Sequence, residues 1–174
     1  MEKIIEKAKA IKLLILDIDG ILTNGIIYYG NQGAELKGFH IHDGLGIKLL
    51  QKSGVTVAVI SGKKSDAVEK RMKDLRIEHA YLGHENKLPI YEELKQKLNV
   101  NDNEIAYMGD DLPDLPLLRR VGFAITVPKA PAIIQQHIDL ITKKKGGKGA
   151  VREICELIME AQDRYQSVIQ SFFI

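Results

Sequence analysis

Four groups of residues in this chain have the types and spacing to do chemistry. The first is Asp17-Ile18-Asp19-Gly20, two carboxylates separated by one residue at the end of the apolar run Leu13-Leu14-Ile15-Leu16. Two acids this close repel each other unless a cation or a shared proton intervenes. The second is Ser61-Gly62, which ends the run Val55 to Ile60, and the third is Lys87. The fourth is Gly109-Asp110-Asp111, with Asp114 just beyond, at the end of Glu104 to Met108. Several acids together suit a hard cation with oxygen ligands, Mg²⁺ first among them. A lysine, a hydroxyl and the backbone N–H groups near Gly62 suit a phosphoryl group. The combination points to phosphoryl transfer through an aspartyl-phosphate. Taken singly, each part has a plain explanation, since Asp-Gly is common in turns, serine caps helices and lysines are usually solvated. It is the ordered set that carries the signal.

These residues need a scaffold that brings them to one place. Leu13 to Leu16 reads as a strand buried on both faces, the pattern of a central parallel strand. Such strands present their chemistry at the carboxyl end, in the crevice above the sheet. Val55 to Ile60 and Glu104 to Met108 read the same way, and in a parallel sheet all three ends share one edge. Shorter strands are expected at His79 to Leu82, Phe123 to Val127 and Ile138 to Ile141. A short charged helix from Lys3 to Lys9 is expected to lead into the first strand. Apolar periodicity predicts helices up to Lys52 and from Ser65 to Leu75, with Asp43 at the start of the former. There Asp43 suits the N-cap, with Leu45, Leu49 and Leu50 as the apolar stripe. Further helices are expected from Lys87 to Leu98, Leu112 to Arg120, Ala130 to Gln136 and from Val151 onward. Strands alternating with helices predict an α/β fold, a Rossmann-like parallel sheet with helices on both faces. Ile26 to Tyr29 and Ala34 to Ile41 flank the turn signal Gly30-Asn31-Gln32-Gly33. They read as a β-hairpin inserted at about residues 25–41, after the first strand.

A chain of 174 residues fits a single domain over 1–174, with a tail at about 165–174. The net charge of +2 gives no electrostatic case for nucleic acid. Cys155 stands alone, so no intrachain disulfide can form, and a cytoplasmic setting is the natural expectation. Met1 to Ala10 lacks the apolar core of a secretion signal, and no apolar stretch is long enough to span a membrane. His40-x-His42 offers two ligands, but no Cys or third His is placed to complete a metal site. Cys155 falls on an apolar helical stripe and reads as core. Lys143 to Lys148 reads as a solvated loop, with an anion-gathering rim as the functional alternative. Ser171-Phe172-Phe173-Ile174 is an apolar terminus that either frays or docks.

Asp17-x-Asp19-Gly, Ser61-Gly62, Lys87 and Gly109-Asp110-Asp111-x-x-Asp114 together resemble the haloacid dehalogenase superfamily of phosphohydrolases. The segments Asp-Ile-Asp-Gly-Ile-Leu-Thr-Asn-Gly, His-Asp-Gly-Leu-Gly-Ile-Lys-Leu-Leu, Gly-Asp-Asp-Leu-Pro-Asp-Leu-Pro and Gly-Gly-Lys-Gly-Ala-Val-Arg-Glu narrow it further. They resemble the branch that dephosphorylates 3-deoxy-D-manno-octulosonate 8-phosphate for lipopolysaccharide synthesis, over about residues 11–161. The resemblance implies a capless, homotetrameric phosphatase whose hairpin takes part in assembly and whose tail can reach a neighbour's site. It implies Asp17 as nucleophile and Asp19 as general acid and base. Mg²⁺ would be held by Asp17, Asp110 and the Asp19 backbone carbonyl. Ser61, Gly62 and Lys87 would bind phosphate, and Asp111 and Asp114 would orient the lysine and the metal's waters. Lys63 would meet the substrate of a neighbouring subunit. Three positions depart from that family's habit, which has Asp at Asn24 and Arg at Lys63 and Lys148. Lysine keeps the charge but loses the two-pronged grip on a carboxylate, which leaves the sugar acid open. Phosphatase action on a nine-carbon sugar acid 9-phosphate is the nearest alternative. A non-catalytic assembly domain is the alternative from another class, and a phosphomutase is disfavoured by the missing cap.

Overall fold

The computed structural model describes residues 2–173. A short helix α1 (Glu2–Ala10) leads into β1 (Leu13–Leu16). A two-stranded ribbon, β2 (Tyr28–Tyr29) and β3 (Glu35–Leu36), precedes α2 (Ile41–Lys52). Alternation follows: β4 (Thr56–Ser61), α3 (Asp66–Asp74), β5 (His79–Leu82), α4 (Leu88–Leu98) and β6 (Ile105–Met108). After β6 come α5 (Leu115–Leu118), β7 (Phe123–Thr126), α6 (Ala132–Gln135) and β8 (Leu140–Ile141). The chain closes with α7 (Ala150–Ala161) and α8 (Tyr165–Ile169). Among the described residues, no helix is long and apolar enough to cross a membrane.

The six strands of the main sheet run in the order β5-β4-β1-β6-β7-β8, and every pair is parallel. β1 is therefore flanked by β4 and β6, in the position its unbroken apolar run predicts. Alternate residues of each strand feed two separate cores. Leu14, Leu16, Val57, Val59 and Met108 face the layer that holds Ile47, Leu50, Ile154, Cys155 and Ile158 of α2 and α7. Leu13, Ile15, Ala58, Ile60 and Tyr107 face Tyr91, Leu94, Leu117 and Leu118 of α4 and α5. Both faces being covered explains why the strands read as continuous apolar runs rather than alternating ones. Cys155 is buried in the first of these cores, as its stripe predicts.

The helix leading into residue 52 starts earlier than expected. Asp43 is not its N-cap: α2 begins at Ile41, and His40 at the cap position makes no side-chain cap bond. Asp43 turns inward, 1% exposed, and its carboxylate accepts from Gly149 N at 3.2 Å and Arg152 N at 2.8 Å. It thus caps the neighbouring helix, α7, whose own N-cap position is a glycine with no side chain to offer. A Cβ on Gly46 would run into Arg152, so α2 and α7 approach closely through a small residue. Leu45 does not belong to the buried stripe; it is 40% exposed, and Ile47, Leu49 and Leu50 do the packing.

The hairpin forms, but its ladder is short. Tyr28 pairs with Leu36 and Tyr29 with Glu35, around a turn in which Gln32 and Gly33 take positive φ. Lys37 to His40 continue without strand pairing into α2. His40 and His42 lie edge to face, ring centroids 5.0 Å apart, at the start of a helix rather than on a strand. The expected Leu112 to Arg120 helix splits into a 3-10 turn, Leu112–Asp114, and α5, with Pro116 in the first turn of α5. Residues 165–172 are helical, with Val168 buried and Phe172 and Phe173 exposed; Ile174 lies outside the described residues.

Candidate active site

The carboxyl ends of β1, β4 and β6 converge on one cavity of about 520 Å³. Asp17, Asp19, Gly20, Ser61, Gly62, Lys63, Lys87, Asp110, Asp111 and Asp114 all line it. The four groups whose types and spacing suit chemistry are thereby brought to one place. A roomier recess of about 700 Å³ lies at the opposite, amino-terminal edge, around Lys12, Glu104 and Gln162. It lacks the acid cluster and the buried lysine.

Lys87 is the hub. It occupies the N-cap position of α4, is 3% exposed, and sends its ammonium beneath the end of β1. Its Nζ lies 2.7 Å from Asp17 Oδ1, 2.6 Å from Asp114 Oδ1 and 3.2 Å from the Tyr107 hydroxyl. Burial opposes the lysine's charge, but Asp17 and Asp114 outweigh it and hold the ammonium above its ordinary pKa. The Tyr107 hydroxyl donates to Asp114 Oδ1 at 2.5 Å. Burial and the surrounding acids push that phenol well above its ordinary range, so it stays a donor.

Asp114 has no oxygen to spare. Oδ1 takes Lys87 and Tyr107, and Oδ2 takes the backbone N–H groups of Asp110 and Asp111 at 2.9 and 3.1 Å. Carboxylate oxygens of Asp17, Asp110 and Asp114 lie within 4.8 Å of one another, close enough to surround one ion. Because Asp114 is committed, the donors left for a cation are Asp17 and Asp110. In both, ionisation is opposed by burial and by neighbouring acids. Burial, with the charge of Asp114 added, pushes Asp17 up to about 6 despite Lys87. Burial and the charges of Asp17, Asp114 and Asp111 push Asp110 up to about 7. Two oxygen donors that resist ionising until positive charge arrives fit a divalent hard cation.

The rest of the site is shaped by close approach. Gly20 takes φ +88°, and a Cβ there would strike the Asp110 carboxylate. Gly146, from the loop before α7, presses on the Gly20 carbonyl so tightly that a Cβ would collide with it. The Lys143 to Lys148 loop is thus not merely solvated. Its lysines are exposed, while Gly146 and Gly147 are buried against residues 20–24. The Asn24 side chain accepts from Ile26 N at 3.0 Å, an Asx turn that an aspartate would make equally well. Ser61 is buried at the end of β4, and Lys63 is exposed at the cavity rim of its own subunit. His40 and His42 take no part in the acid cluster.

Three residues at or behind the site escape sequence reasoning. Tyr107 sits in an apolar strand, where only its hydroxyl hints at a partner. Lys37 reaches over from the hairpin, its Nζ 2.8 Å from both oxygens of Asp19. Asp43 carries a capping signal, but for the wrong helix.

The family model for haloacid dehalogenase-like hydrolases matches residues 83–154, the stretch that holds Lys87, Asp110 and Asp114. The 3-deoxy-D-manno-octulosonate 8-phosphate phosphatase KdsC of Escherichia coli (strain K12) is 44% identical over 161 residues. That match takes in 92% of this chain and 86% of the relative. The chain belongs to the 3-deoxy-D-manno-octulosonate 8-phosphate phosphatase family of haloacid dehalogenase-like hydrolases. Solved members of this phosphatase family superpose over almost the whole chain. The enzyme from Moraxella catarrhalis, in complex with a magnesium ion, a phosphate ion and a KDO molecule, gives a TM-score of 0.96 at 45% identity. It covers 99% of both chains. The cobalt-bound form of the family member from Haemophilus influenzae gives 0.91 at 36% identity, over 97% of this chain and 99% of that one.

Proposed function

We propose that this chain is a Mg²⁺-dependent phosphatase that hydrolyses 3-deoxy-D-manno-octulosonate 8-phosphate to the free sugar acid and phosphate, in lipopolysaccharide biosynthesis. The observation that carries the reading is the buried Lys87 bridge between Asp17 and Asp114, set in one cavity with Ser61 and Asp110. A non-catalytic assembly domain would have no use for a buried lysine aimed at a strand-end carboxylate.

Asp17 is the nucleophile in this reading. Its carboxylate oxygen bonds to phosphorus as the ester P–O bond breaks, and Asp19 gives its proton to the leaving sugar oxygen. Asp19, now a carboxylate, then takes a proton from the water that attacks the aspartyl-phosphate. The Asp17–phosphorus bond breaks, phosphate leaves and Asp19 is protonated again. The Ser61 hydroxyl and the Gly62 N–H donate to phosphoryl oxygens, and Lys87 neutralises their charge while keeping Asp17 ionised. Asp114 and Tyr107 hold Lys87 in place, and Asp111 caps the turn that carries Asp114. Asp17, Asp110 and the Asp19 backbone carbonyl would hold Mg²⁺, which when bound offsets the negative charge that phosphoryl transfer concentrates here.

Lys63 at the rim would meet the carboxylate of the sugar acid where a neighbouring subunit closes the open mouth. The exposed apolar residues of the hairpin, Ile26, Tyr28, Tyr29 and Leu36, support a homotetramer assembled through this ribbon. Such an enzyme would work in the cytoplasm. Lysine at position 63, where a two-pronged arginine is usual, keeps the nine-carbon sugar acid 9-phosphate as the second reading. Phosphate release from both sugar acid phosphates, with Mg²⁺ and with chelator, tests the proposal. The expected result is Mg²⁺-dependent release with the eight-carbon ester preferred. No release from any sugar phosphate would overturn it.

A further inference from the structure

Lys37 is the unusual residue outside the constellation. It follows β3 in the hairpin, yet its side chain is 1% exposed. Lysines ordinarily keep their ammonium in water and bury only the stem. Here Nζ is held 2.8 Å from Asp19 Oδ1 and 2.8 Å from Asp19 Oδ2, with Glu35 Oε1 3.2 Å away on its other side. Asp19 is the more open partner, its side chain 30% exposed to the cavity. Among the described residues, Lys37 is the only side chain that bonds its carboxylate. An aspartate at the mouth of a cavity has several rotamers open to it. A cation that engages both oxygens selects one.

We propose that Lys37 is a positioning residue: it fixes the direction of the Asp19 carboxylate, so that the hairpin sets the geometry of proton transfer to the leaving oxygen. This inference rests on Asp19 being the acid–base group of the proposed function. The chain of contacts runs from the ladder pair Tyr29–Glu35 through Lys37 to Asp19. A slip of one residue in that ladder would turn Lys37 to the opposite face. The hairpin's register therefore matters to the site as well as to any assembly.

The test compares leaving groups in the full chain with Mg²⁺, by rapid-mix single turnover. A sugar alkoxide needs a proton as it leaves, whereas p-nitrophenolate does not. Lys37→Met is expected to slow ester cleavage of the sugar acid 8-phosphate at least tenfold more than that of p-nitrophenyl phosphate, and Lys37→Arg to recover most of the difference. Added to Asp19→Asn, Lys37→Met should cost less than a further twofold, since a residue acting through Asp19 has nothing left to act on. Lysine-selective ¹⁵N NMR supplies a readout apart from turnover. One slowly exchanging ammonium signal should vanish in both Lys37→Met and Asp19→Asn. Equal losses on both esters in Lys37→Met, with Asp19→Asn still selective, would overturn the role of Lys37 alone. Equal losses in Asp19→Asn itself would overturn the acid–base reading, and this inference with it.

Discussion

Lys87 Nζ lies 2.7 Å from Asp17 Oδ1, joining residues 70 positions apart in sequence. The contact welds the start of α4 to the end of β1. It places a buried ammonium among Asp17, Asp110 and Asp114, where negative charge is otherwise in excess.

Removing that ammonium tests its structural weight. Lys87→Met should leave Asp17 and Asp114 as buried carboxylates without their cation. Breaking one side of a buried ion pair costs about 3–5 kcal/mol. Chemical denaturation should show a loss of that order, together with loss of phosphatase activity. A variant of normal stability that still turns over would remove Lys87 from both roles.

Asp17→Asn keeps the shape of the proposed nucleophile but not its reactivity. Phosphate release is expected to fall at least roughly 1,000-fold, because in the proposed mechanism the covalent intermediate forms on this carboxylate. Circular dichroism should report an intact fold. Near-normal turnover by the folded variant would place the nucleophile elsewhere.

The raised carboxylates give a pH signature to cation binding. Burial, with the neighbouring acids added, pushes Asp17 up to about 6 and Asp110 up to about 7 in the folded chain. An unfolded aspartate titrates near about 4, so between those values the folded state holds more protons than the unfolded one. These two groups therefore withdraw stability as pH rises through that window. A cation between them favours the ionised forms and must displace protons at low pH. The rise in Tm caused by Mg²⁺ should accordingly be small at about pH 5.5 and larger at about pH 8. Scanning fluorimetry with and without Mg²⁺ measures it. An equal or reversed shift would mean that the cation does not sit between Asp17 and Asp110.

Lys63 and the hairpin test the specificity and assembly proposed above. Lys63→Ala should weaken binding of the sugar acid phosphate far more than turnover of a small generic phosphate ester. Equal losses on the two would assign Lys63 to the phosphoryl group of its own subunit. Tyr29, 73% exposed on a two-residue ladder, is the complementary probe. If the proposed tetramer forms through the ribbon, Tyr29→Glu should shift its sedimentation profile toward smaller species. A wild-type chain that sediments as a monomer would leave Lys63 with no neighbouring subunit to act across.

The parts of the site that follow an apolar run were readable in the sequence. Asp17, Ser61 and Asp110 stand beside strands whose burial on both faces is written in their composition, and a parallel sheet carries all three to one edge. Lys87 was readable because a lysine opening a helix between two such strands has few other places to point. Lys37 was not, because a short ribbon says nothing about which body it folds over. Asp43 shows the same limit from the other side: its capping chemistry was legible, but the helix it serves begins 107 residues later. Leu45 was misplaced because the glycines on either side of it, not Leu45, make the close approaches of α2, Gly46 to Arg152 of α7 and Gly44 to Arg71 of α3.

Asp43 has a consequence for how the protein is made. Its two bonds reach across 106 and 109 residues, and Gly146 backs Gly20 from the same late stretch of chain. Contacts that distant close slowly and late. During synthesis, β1 and the Asp17–Gly20 turn emerge first and wait without that backing until the segment around residues 146–152 leaves the ribosome. A nascent chain stalled before that point is expected to carry every residue thought to touch the substrate, yet to lack the wall that holds the first of them in place.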